Sequence, residues 1–160
     1  MQLVINQDNS SYGSAINLEQ HKGYFEGPPG FIPIPSRHYY PEDFALDRPL
    51  FGMRVAVKDI YDVRGVRTTA GSRAYTKLQS PATRTADCIE KLISLGAVIV
   101  GKTKTVQFAS GMAAADWEDY PCPINPRGDM YLDPDCSSSG SGACIAGYDW
   151  LDFAIGSDSE

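Results

Sequence analysis

Apolar residues in this chain gather in short blocks separated by glycine, proline and polar turns, and the blocks follow a strand–helix–strand rhythm. Met53 to Val57 is a brief β-branched run of the kind buried on both faces of a sheet, and Lys58-Asp59 ends it. Asp62 to Thr69 is polar and irregular, with Gly65 and Gly71 as turn points. Thr85, with Asp87 behind it, is placed to cap a helix that runs to about Leu95. Cys88, Ile89, Leu92, Ile93 and Leu95 make its apolar stripe, and Gly96 closes it. Ala97 to Val100 then reads as a second buried strand, Val106 to Met112 as a short helix and Phe153 to Ile155 as a further strand. Gly140 to Gly147 reads as a helix of small residues, able to lie very close to a sheet. Strand, helix, strand with a short glycine exit predicts a parallel crossover and an α/β fold.

Two regions lack such a period. Residues 1–50 carry Gly27-Pro28-Pro29-Gly30 and Pro33-Ile34-Pro35, which prevent a regular helix, among the scattered aromatics Tyr24, Phe25, Phe31, Tyr39, Tyr40 and Phe44. They predict an irregular arm wrapped over a larger body formed by residues 51–160. Residues 116–136 hold Pro121, Pro123, Pro126, Gly128 and Pro134, and a loop this long inside a compact domain is usually functional.

Composition narrows the function classes. A hydrophobic content of 42% and a charged content of 21% are those of an ordinary globular protein with a core of its own. The formal charge of −6 argues against non-specific nucleic-acid binding, which needs a basic footprint. No run approaches a membrane-spanning length, and the first residues lack the basic start and apolar core of a secretion signal. The cysteines, Cys88, Cys122, Cys136 and Cys144, form no C-x-x-C unit, and both histidines precede residue 40, so neither a metal nor a cofactor is expected. Cys88 and Cys144 sit among apolar helical neighbours and are read as buried thiols. A reducing, cytoplasmic setting follows as the expectation.

The chemistry concentrates in Asp135-Cys136-Ser137-Ser138-Ser139-Gly140-Ser141-Gly142-Ala143, where small hydroxyl and thiol side chains run into glycines and then into a helix. Such a loop lets backbone amides and hydroxyls approach a bound group closely. Lys58, at the end of an apolar strand, supplies a base if burial lowers its pKa. Gly101-Lys102-Thr103 invites a phosphate-loop reading, but the G-x-x-x-x-G-K-[ST] arrangement is absent. Cys136 has no histidine near it in sequence and is a poor candidate nucleophile.

Several stretches together resemble the amidase signature family. They are Val55-Ala56-Val57-Lys58-Asp59, Thr68-Thr69-Ala70-Gly71-Ser72, Gly96 to Thr103, Asn125-Pro126, the serine–glycine loop and the closing Gly156-Ser157-Asp158. The wording from Tyr148 to Asp158 is most similar to fungal amidase-like proteins. The resemblance implies a mixed sheet flanked by helices, here truncated, and hydrolysis of carbon–nitrogen bonds by a serine, a second serine held by a cis peptide, and a lysine. It assigns the lysine to Lys58 and the cis-serine to Ser138. Ser137, Ser139, Gly140 and Asp158 support the site or the substrate loop, Asp158 by fixing the nucleophile loop. The attacking serine falls two residues beyond Glu160, and Glu160 stands where the family has glycine.

A small-molecule amide is therefore the expected substrate of a completed protein, with no nucleic acid, no membrane and no identified protein partner. Two alternatives stand beside it. One is a catalytically inactive fragment or binding module, the expectation for these 160 residues alone, with an exposed apolar edge or face. The other is transamidation like that of glutamyl-tRNA amidotransferases, whose catalytic polypeptide belongs to the same family.

Overall fold

The computed structural model describes residues 47–111, 113, 117–129 and 131–158. The expected N-terminal arm lies outside them apart from residues 47–50, as do both histidines, Ser159 and Glu160. Along the described chain the elements are β1 (Arg54–Lys58), α1 (Arg73–Leu78), α2 (Asp87–Ser94), β2 (Val98–Thr103), a 3-10 turn (Gln107–Ala109), α3 (Ser139–Gly147) and β3 (Phe153–Ile155). The α/β reading holds. All the strands run parallel in the order β2-β1-β3, so the strand that carries Lys58 is central.

A central parallel strand is covered on both faces, and β1 divides its side chains accordingly. Val55 and Val57 pack with Val63, Val66, Ile89, Ala97 and Ile99 on the α2 side. Ala56 packs with Val98, Val100, Cys144 and Leu151 on the α3 side. By the alternation of a strand, Lys58 follows Ala56 toward α3 and Asp59 follows Val57 toward the opposite face. A register shift between Val55 and Ala56 makes Val55 pair with Ile99 but Ala56 with Gly101. It brings Lys102 beside Val57 and Thr103 beside Lys58.

Several local expectations change. The second strand extends through Gly101-Lys102-Thr103, all buried, because these residues complete the ladder beside β1. Thr85 does not cap α2: its hydroxyl accepts from the Arg64 amide at 3.0 Å, and the capping position is Ala86. Ile89 is the buried residue of that helix, while Cys88 and Ile93 are exposed, because one sheet face covers only a narrow stripe of so short a helix. Val106 to Met112 yields only the 3-10 turn, with Met112 outside the described residues. Helix α1 has no buried residue and hence no apolar period to reveal it. Its cue is Ser72, whose Oγ accepts from the Tyr75 amide at 3.3 Å.

Helix α3 lies against the sheet where the small residues allow it. A Cβ on Gly140 would stand 2.4 Å from both the amide nitrogen and the carbonyl oxygen of Lys104, and the Gly140 amide donates to that carbonyl at 2.9 Å. Ser141 Oγ reaches Thr103 Oγ1 at 2.8 Å and the Ile155 carbonyl at 2.9 Å, tying α3 to β2 and β3. An open groove of about 440 Å³ remains beside α3 and β3, lined by Ile145, Ala146, Ala154 and Arg127. Among the described residues, no helix is long and apolar enough to cross a membrane.

Candidate active site

The carboxyl ends of parallel strands are where open α/β sheets gather ligands. Here they bring together Lys58 at the end of β1, residues 136–138 entering α3, and residues 156–158 leaving β3. Lys58 is fully buried. Its Nζ donates to Ser137 Oγ at 2.7 Å, Ser157 Oγ at 2.8 Å and Ser138 Oγ at 3.0 Å, and lies 3.4 Å from the Ser157 carbonyl. Burial lowers the pKa of this amine, while the charges of Asp158 and of a Cys136 thiolate act in the opposite sense.

Of the three serines beside the lysine, the adjacent pair Ser137 and Ser138 differ in what their hydroxyls already do. Ser138 Oγ accepts from the Ser157 amide at 3.1 Å and donates to the Ser157 carbonyl at 3.1 Å, besides accepting from Lys58. Its proton is committed, and it clamps the loop beyond β3 to the entrance of α3. Gly156 allows that clamp, since a Cβ there would sit 2.8 Å from Ser138 Oγ. Ser137 Oγ accepts from Lys58, and its own proton has no acceptor among the described residues. The Ser137 carbonyl accepts from Thr105 Oγ1 at 3.0 Å, which fixes the residue from its backbone.

The cis peptide expected at Ser138 lies one residue earlier, between Cys136 and Ser137. A run of three serines offers no marker by which the sequence alone places that bond. Ser139, read as a neighbour of the site, is buried and donates to the Asp135 carbonyl, so it braces the loop from within. Gly140 is the close-approach residue described above. Asp158 is exposed and acts on Lys58 through its charge. Cys136 is also exposed.

Sequence reasoning gives Ser157 no role, although its hydroxyl touches the lysine; the signal is its place directly after a glycine at a strand's carboxyl end. It weighs Lys102 only for a phosphate loop, whereas that side chain forms a buried ion pair with Asp59 at 2.7 Å. Beside the serine loop lies a cavity of about 220 Å³ lined by Trp117, Cys122, Asp133, Asp135, Cys136 and Ser139 among others. No group of three or more potential metal ligands occurs among the described residues.

Known proteins are similar to this chain in sequence and fold. A profile of the family described as Amidase matches residues 38–159. The glutamyl-tRNA(Gln) amidotransferase A polypeptide of Halobacterium salinarum is 39% identical over 115 residues, which are 72% of this chain and 26% of that protein. The chain thus spans about a quarter of that relative. A solved chain from a vestigial protein complex bearing on the origins of an s-triazine catabolic enzyme superposes with a TM-score of 0.62 at 36% identity. That match covers 69% of this chain and 23% of the other. Allophanate hydrolase of Kluyveromyces lactis superposes with a TM-score of 0.55 at 32% identity, covering 68% and 16%. The chain belongs to the Amidase family.

Proposed function

We propose that this chain supplies the base, the proton relay and the supporting loops of an amide-cleaving site. An amide is a weak electrophile, so its cleavage needs an activated nucleophile and a proton for the departing amine. In its neutral form Lys58 takes the proton of Ser137, and Ser137 in turn takes the proton of an attacking serine that belongs to the segment after Glu160. The new oxygen–carbon bond forms as the carbonyl becomes an oxyanion. The Lys58 ammonium then returns its proton through Ser137 to the nitrogen as the carbon–nitrogen bond breaks. Water releases the acyl group by the same relay in reverse.

The observation that carries this reading is the 2.7 Å contact between buried Lys58 Nζ and a Ser137 hydroxyl whose proton is uncommitted. A serine hydroxyl can give one proton while accepting another, which is what a relay requires. Ser138 moves from relay to clamp in this account. The cavity beside the loop supports a small-molecule amide as substrate. The test is ammonia or amine release from a panel of small amides by a polypeptide that continues past Glu160. Activity lost in Lys58→Met and in Ser137→Ala supports the assignment, and full activity in either variant overturns it. The 160 residues alone are expected to release nothing.

A second reading draws on the relatives named as amidotransferases. In it, ammonia from the amide step passes to a separate acylated acceptor. Amide nitrogen that appears on the acceptor rather than as free ammonia, and only with a partner protein and that acceptor present, favours that reading over free hydrolysis.

A further inference from the structure

The face of β1 opposite Lys58 carries a second buried network that the amide chemistry does not use. Asp59 Oδ1 accepts from Lys102 Nζ at 2.7 Å, with side-chain exposures of only 2% and 4% respectively. Asp59 Oδ2 accepts from the Thr69 amide at 3.2 Å and from the Thr69 hydroxyl. The Asp59 amide donates to the Thr103 carbonyl and its carbonyl accepts from the Ala70 amide, each at 3.0 Å. Lys102 Nζ also reaches Thr68 Oγ1 at 3.3 Å, and that hydroxyl donates to Asp62 at 2.6 Å. Each polar group of Asp59 is therefore held by β2 or by residues 69–70, one peptide bond from Lys58.

A buried ion pair is a poor device for stability alone, since hydrophobic residues of equal volume commonly serve as well. What it offers is direction: two charges and their hydrogen bonds fix one geometry. We propose that Asp59 and Lys102 are positioning residues, a buried pair that locks the end of β1 so that the Lys58 side chain stays dry and meets Ser137. Neither touches the reacting atoms. This inference rests on the base role proposed for Lys58. The other groups facing that amine are Asp158 and Cys136 from the flanking loops and the hydroxyls of Ser137, Ser138 and Ser157. Tyr61 braces the same loop by donating to the Gly156 carbonyl at 3.2 Å.

The experiment follows the Lys58 amine in the 160-residue chain carrying carbon-13 at the lysine ε position. The Lys58 signal is identified by its absence in Lys58→Met. No turnover is needed, so failure of the amide reading and failure of this one remain separate results. In Asp59→Asn and in Lys102→Met, the Lys58 titration is expected to move up toward the solvated value of about 10.4, with loss of the cross-peak between its ε protons and Ser137. Lys102→Arg, which keeps the charge, is expected to retain both features of the parent. Charge alone predicts opposite movements, downward when the Asp59 carboxylate is neutralised and upward when the Lys102 cation is removed. Opposite movements with the cross-peak intact, or no movement, would therefore overturn the positioning role. Thr69→Val leaves both charges in place and serves where the other variants do not fold: a weakened Ser137 cross-peak supports the proposal, and an unchanged one overturns it.

Discussion

Ser138 and Ser157 hold each other through a pair of hydrogen bonds: Ser138 Oγ accepts from the Ser157 amide and donates to the Ser157 carbonyl, both at 3.1 Å. This reciprocal contact joins the loop leaving β3 to the loop entering α3, and it uses up the Ser138 proton. Its neighbour Ser137 keeps its proton and faces the same lysine. On the reading proposed above, the two adjacent serines carry different tasks.

Replacing each serine by alanine separates those tasks. Ser138→Ala leaves a backbone amide and carbonyl without their partner, and is expected to lower stability by about 1–2 kcal/mol in a denaturant titration. Ser137→Ala removes no backbone partner and leaves Lys58 two other hydroxyl acceptors, so it is expected to cost less stability than Ser138→Ala. In a polypeptide extended past Glu160, it should nevertheless reduce kcat/KM by about 100-fold or more. A Ser137→Ala variant as active as its parent, beside an inactive and fully stable Ser138→Ala, would reverse the assignment.

The pH profile of that longer polypeptide should report Lys58. Burial lowers its pKa, so the neutral, reactive amine becomes available below the usual lysine range. kcat/KM is expected to rise with pH to a plateau whose midpoint lies under about 10.4. The Asp158 carboxylate favours the ammonium form, so Asp158→Asn should move the midpoint down. An upward shift on that substitution would contradict the placement of the two charges.

Lys104 offers a stability measurement of the same physics. It is buried, donates to the Pro121 carbonyl at 2.9 Å, and has its pKa lowered by burial. Between its folded-state value and about 10.4 the unfolded chain binds more protons than the folded one, so its contribution to stability rises with pH across that window. Lys104→Met should flatten the rise, read as denaturation midpoints at a series of pH values. The thiols of Cys122 and Cys144, raised by burial, act oppositely above about 8.5, but they do so in parent and variant alike, so the difference between the two isolates Lys104.

Two glycines of α3 make a matched pair. Gly140→Ala drives a Cβ to 2.4 Å from the Lys104 backbone, a contact no side chain can relieve, and is expected to cost about 3 kcal/mol or more. Gly142 has nothing within 4 Å of its Cβ position, so Gly142→Ala should add about 0.5–1 kcal/mol of helix stability. Thermal or urea unfolding of the two variants checks both signs at once.

Thiol labelling should rank the cysteines by environment. Cys88 and Cys136 are exposed, whereas Cys144 is buried with its pKa pushed up to about 11. At neutral pH a maleimide is expected to modify the first two at least about 10-fold faster than Cys144, because the thiolate is the attacking form. Equal rates would mean that α3 does not hold Cys144 against the sheet.

Much of this arrangement is legible in the residues. The run from Val55 to Val57 is apolar on both faces, so it belongs in the middle of a sheet, and a lysine directly after it must end near the carboxyl edge where sites form. Small residues from Ser137 to Gly147 admit a helix pressed against that edge, and the structure has one there. What the sequence leaves undecided are matters of register and partnership. Three consecutive serines look alike in one dimension, and only the hydrogen bonds to Ser157 and Lys58 tell Ser138 from Ser137. Asp59 and Lys102 lie 43 positions apart, and the shift between Val55 and Ala56 is what sets them on one face. Cys88 reads as buried because helical periodicity names an apolar stripe but not how much of it a sheet covers. Local pattern fixes which face of an element is apolar, while the packing of elements distant in sequence decides which polar groups meet beneath it.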